Sequence, residues 1–121
     1  MVRYVARVGV ALLLIGSASA VAQETMTLRG EVVEVSCFPK GVAQATGVGH
    51  VACAKECVQK GQGLGVLSQE DGLVKVTGDY AANKYAKLVP FIGRRVEVVG
   101  TADRYLDYSR AIKVTKLTPI K

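Results

Sequence analysis

Cys37, His50, Cys53 and Cys57 are the only thiols and the only imidazole of this chain, and they fall in one stretch with the pattern C-x12-H-x2-C-x3-C. Thiolates and an imidazole are the donors that a borderline-soft ion such as Zn2+ takes in closed tetrahedral sites, where three cysteines and one histidine form a standard set. Thiolates also select Cu(I). One ion, zinc slightly ahead of copper, is therefore the first expectation for these four residues. The pattern has no C-x2-C knuckle, so it is less specific than a zinc ribbon. A disulfide is the competing reading: Cys37 would pair with Cys53 or Cys57, leaving one thiol and a histidine that caps or packs.

Proline and glycine are absent from 50–60, which is closed by Gly61 and Gly63, so a helix of about three turns is expected there. On it His50, Cys53 and Cys57 would lie within an arc of roughly 60°. The N-terminus of such a helix favours a thiolate nearby. One helix face cannot close a tetrahedron, so the fourth donor must come from another segment. Cys37 is placed for that, at the exit of an alternating apolar and β-branched run, Thr27–Ser36, that reads as a strand. Between them, Phe38–Gly49 holds Pro39 and three glycines and reads as a loop.

Four further strands are expected at Leu64–Ser68, Leu73–Thr77, Arg95–Thr101 and Ala111–Leu117. Asp71-Gly72 signals a hairpin between the first two. Ala81–Phe91 reads as a short helix with Tyr85, Leu88 and Val89 on one face. Strand, helix, strand, strand is the closing half of a five-stranded OB-like Greek-key barrel, mainly β, with the Cys/His-bearing helix inserted after the first strand.

The runs G-E-V-V-E-V-S-C at 30–37, G-H-V-A-C-A-K-E-C at 49–57, G-Q-G-L-G-V-L at 61–67 and G-R-R-V-E-V-V-G at 93–100 resemble a group of small exported bacterial proteins. The resemblance spans nearly all of 23–121. It implies an OB-like sheet and singles out the same four residues, and it implies no particular reaction or substrate.

Export is also expected from the N-terminus. Arg3 and Arg7, the apolar run Val8–Ile15 and the small residues Ala18 to Ala22 follow the order of a secretory signal peptide, with cleavage after Ala22. The apolar run is short of the roughly 20 residues that span a bilayer, so stable membrane insertion is not expected. Residues 23–121 would then form one periplasmic or secreted domain, facing an oxidising compartment. Loss of the leader lowers the net charge from +6 by two, which leaves a mildly basic chain without a dense basic run. Tyr80, Tyr85, Tyr105 and Tyr108 with Arg94, Arg95, Arg104 and Arg110 have the types of a single-strand nucleic-acid groove, but export and their scatter point to half-buried rings and solvated charges. The partners expected are the ion itself and an envelope protein. Hydrolytic chemistry is disfavoured: His50 and Cys53 share a helix face, with no Asn or Asp to orient the imidazole.

Overall fold

The computed structural model describes residues 15–16, 24–105, 107 and 109–121. Most of the segment expected to be a signal peptide, including the expected cut after Ala22, lies outside the described residues, as does Tyr108. Five strands, β1 (Thr25–Glu34), β2 (Leu64–Ser68), β3 (Gly72–Thr77), β4 (Arg95–Arg104) and β5 (Arg110–Pro119), close into a barrel in the order β1-β2-β3-β5-β4. All pairings are antiparallel except β3 with β5, which run parallel through Lys75↔Ala111, Val76↔Ile112 and Thr77↔Lys113. This is the OB-like barrel that the strand pattern predicts.

Closure depends on β1 serving two neighbours. Residues 25–31 pair with β4 and residues 30–34 with β2, so the strand must curl across the barrel wall. The overlap falls at Gly30 and Glu31, and at Gly30 a Cβ would lie 2.1 Å from the Leu67 carbonyl oxygen. Any larger residue would push β2 away. The barrel is filled by the inward residues of alternating strands, among them Leu28, Val32, Val66, Val76, Val98 and Ile112, all buried. Each such burial contributes about 1.5–3 kcal/mol relative to exposure.

The segment between β1 and β2 is more ordered than the loop expected from Pro39 and its glycines. A 3-10 turn, Val35–Lys40, is followed by α1 (Val42–Ala45), a second 3-10 turn, Val48–His50, and α2 (Val51–Gln59). The proline sits inside the first turn without breaking it, because a 3-10 turn this short needs few of the backbone donors that proline lacks. α2 presses Ala54 and Val58, 0% and 1% exposed, onto the core. It ends at a glycine stop: Gly61, at φ +97°, donates to Val58 O at 3.0 Å, and Gln62 donates to Cys57 O at 3.0 Å.

The short helix expected over Ala81–Phe91 is broken. A 3-10 turn, Gly78–Ala81, leads to a turn at Ala82–Tyr85 and another at Val89–Phe91. Asn83, Lys84 and Tyr85 are left-handed, with φ of 54°, 53° and 58°. Of the three residues expected on one face, Tyr85 and Leu88 are buried and Val89 is partly buried against the core. The strand ends also move. β1 stops at Glu34 rather than Ser36, and β4 and β5 extend to Arg104 and Pro119.

Candidate metal centre

Glu34 decides where the site lies. Leu28, Gly30, Val32 and Glu34 share the strand phase that faces the barrel interior, and the glutamate is 0% exposed. Its carboxylate caps the first 3-10 turn: Oε1 accepts from Ser36 N at 2.9 Å, and Oε2 accepts from Ser36 Oγ at 2.7 Å and Cys37 N at 3.0 Å. That cap explains why the strand ends early, since the chain turns as soon as the acid is satisfied. It also fixes Cys37, which is buried at the barrel mouth.

His50 arrives from the other side. Glu31 holds its approach by accepting from Gly47 N at 3.0 Å, and His50 N donates to Gly47 O at 3.2 Å. Although His50 stands at the N-cap position of α2, its side chain makes no cap hydrogen bond. Its Nε2 is buried and, among the described residues, has no hydrogen-bond partner. Buried polar atoms are rarely left so, and each one calls for an explanation.

Glu34, Cys37 and His50 bring a carboxylate oxygen, a sulfur and a ring nitrogen to within 4.8 Å of one another. Ligands held 2.0–2.3 Å from a tetrahedral ion stand about 3.3–3.8 Å apart. The three donors thus need to close by only about an ångström, within the reach of small side-chain rotations. Soft, borderline and hard donors together suit Zn2+.

Two of the four residues expected from the sequence, Cys37 and His50, are in this tight set. Cys53 and Cys57 do not join it, but Cys53 lines the same cleft, of about 420 Å³, whose wall also includes Cys37, Lys40, Gln44 and His50. Cys53 is exposed and Cys57 is half-buried, one turn further along α2. No bridge links any of the three cysteines. A larger hollow of about 620 Å³ opens elsewhere, at Glu24, Met26, Ala102–Arg104, Arg110 and Ala111, with no thiol or imidazole in its wall. The donor chemistry lies in the smaller cleft.

Glu34 is the residue that sequence reasoning missed. In the string V-V-E-V-S it looks like an outward polar residue on a half-buried strand. The available signal was its phase, even-numbered with Leu28 and Val32, which puts it inside.

Electrostatics around the site follow from these burials. Burial would push the Glu34 carboxyl up, but the hydrogen bonds from Cys37 and Ser36 outweigh it and hold the pKa below the ordinary value. The Cys37 thiol is pushed up to about 11, first by burial, then by its hydrogen bond to Glu34 and by that carboxylate's charge. Cys57 is also raised, by desolvation first and then by the charge of Glu34. A protonated Cys37 is a poor nucleophile, and a cation between the sulfur and Glu34 would reverse its preference.

The tyrosines considered from the sequence take structural parts. Nearby on α2, Glu56 forms an exposed ion pair with Lys60 at 3.2 Å. Tyr105 lies under Lys75 Nζ, 4.5 Å from the ring centroid, and Tyr85 donates to Val76 O at 3.3 Å. No helix among the described residues is long and apolar enough to cross a membrane. Compared with family models, with characterised proteins and with solved structures, the chain matches none.

Proposed function

We propose that this is a small exported metal-binding protein whose barrel mouth holds one ion, zinc ahead of copper, for storage, delivery or bracing of the fold in the cell envelope. The observation that carries the reading is the buried, unpartnered His50 Nε2 beside the Cys37 thiol and the Glu34 carboxylate. Left apo, that arrangement strands a buried nitrogen and sets a thiol against a carboxylate; a divalent cation relieves both costs. Glu34 then either ligates with a free lone pair or orients Cys37 through the hydrogen bonds it already makes. Cys53 and Cys57 supply further thiolates from α2.

The alternative is a disulfide-stapled interaction or redox module without metal. It draws on the proximity of Cys53 to Cys57 and on the cleft that Cys37 and Cys53 share. Metal analysis by mass spectrometry on protein purified from the periplasm, with a free-thiol count, separates the two. One equivalent of metal and three titratable thiols after chelation are expected. No metal and a single free thiol would leave the disulfide reading in its place.

A further inference from the structure

We infer that the cleft at the barrel mouth is a redox-gated metal site: a small disulfide oxidant links Cys37 to Cys53 and thereby releases the ion that the reduced site holds. The inference rests on the metal-binding reading and adds the regulation of that site.

Placement selects the pair. Cys37 and Cys53 stand in the wall of one cleft, and Cys57 does not. His50 connects the two. Its ring nitrogen lies within 4.8 Å of the Cys37 sulfur, and Cys53 follows it by three residues, a spacing at which helical side chains stand about 5–6 Å apart at Cβ. Cys57 is one turn further along α2, about 6 Å farther along its axis. Exposure sets the order of reaction. Cys53 is exposed and meets an oxidant first, whereas Cys37 is buried and can be reached only from within the cleft. The bridge and the ion exclude each other, because both need the Cys37 sulfur. Once it is bridged, the compact set keeps only Glu34 and His50, two donors where a zinc site takes at least three from the protein.

The exchange balances. The Cys53 sulfur, as thiolate, attacks one sulfur of the oxidant; that S–S bond breaks, a mixed disulfide forms and the first small thiolate leaves. The Cys37 sulfur then leaves the ion, attacks the Cys53 sulfur and expels the second small thiolate. Two electrons pass from the two cysteines to the oxidant, which ends as two small thiols after its two sulfurs take protons from solvent. The ion departs as the dication.

The test uses the reduced full-length chain loaded with Zn2+ and then treated with oxidised glutathione. Released Zn2+ is read with a chromophoric chelator, and the bridge is located by mass spectrometry of peptides cut without reduction. One equivalent of Zn2+ is expected to appear with each Cys37–Cys53 bridge, Cys57 should remain a free thiol, and a phosphine reductant should restore Zn2+ uptake. Zn2+ that stays bound after treatment overturns the switch, as does a bridge through Cys57 or a mixed disulfide that goes no further; in each case the metal reading stands. A reduced chain that takes up no Zn2+ removes both.

Discussion

The Glu34 carboxylate accepts the backbone N–H of Cys37 at 3.0 Å while its own side chain is wholly buried, so one acid ends a strand, starts a turn and aims a thiol. Glu34→Gln keeps the shape and removes the charge. Hydrogen bonds to a buried charged acceptor contribute about 1.5–3 kcal/mol, and a loss of that order is expected in urea denaturation at neutral pH. The pH dependence has a definite sign. Because the folded pKa is depressed, this stabilisation is complete above the ordinary value of 4.5 and is lost as pH falls through the folded value. The variant should therefore show a shallower acid limb than the wild type. Equal stability with an identical acid limb would refute the capping role.

Tyr85 sets the opposite limit. It is 9% exposed, and burial, then the hydrogen bond with Tyr105 and that residue's charge, raise its pKa above the ordinary 10.0. A folded state that keeps the phenol protonated is fully favoured below about pH 10 and loses that advantage as pH rises through the folded value. Alkaline denaturation should begin near pH 10. In Tyr85→Phe that limb should flatten, with about 1 kcal/mol lost at neutral pH from the missing bond to the Val76 carbonyl. A steep alkaline limb persisting in the variant would place the titrating group elsewhere.

How far the sequence could be read differs between barrel and site, for a physical reason. Alternation survives wherever one face of a strand is buried, so the cores of β2 to β5 are visible in runs such as Arg95–Thr101. Cys37 and His50 could be picked out because thiols and imidazoles are few here and cluster. Glu34 could not, because charge normally marks the outside, and here a local cap overrides it. The break after Ala82 was equally hidden. Tyr85 and Leu88 keep an inward pattern that a right-handed helix would also give, and neither glycine nor proline announces the left-handed residues.

That left-handed turn can be checked directly. A left-handed conformation costs an ordinary residue about 1–2 kcal/mol, and a β-branched one more, while glycine adopts it freely. At Lys84, φ 53°, the expected stability order is Gly at or above Lys, with Val about 1–2 kcal/mol below. The Lys84 Nζ bond to the Gln59 carbonyl is exposed, so its loss changes the order little. Thermal melts of Lys84→Gly and Lys84→Val decide it. Valine matching lysine, with glycine the least stable, is the order of a right-handed helix and would remove the turn.

Gly93 links the barrel to the candidate metal centre. It is at φ +78°, and its backbone N–H donates to Val32 O at 2.9 Å on β1. A Cβ there would lie 2.8 Å from Val51 Cγ2 and 3.2 Å from the Gly47 carbonyl. Gly47 and Val51 flank the turn that delivers His50, so Gly93→Ala must push that turn away from the barrel mouth. Gly72 provides the control. It has a similar φ of +70° with nothing within 4 Å of an added Cβ, so Gly72→Ala suffers the backbone strain alone. Gly93→Ala should be the more destabilising of the two by about 1 kcal/mol or more, as overpacking typically is. It should also weaken Co2+ binding about tenfold, while Gly72→Ala leaves binding unchanged. If both variants bind Co2+ like the wild type, the position of His50 does not depend on this contact, and the turn would have to be held by the Glu31 bond to Gly47 N instead.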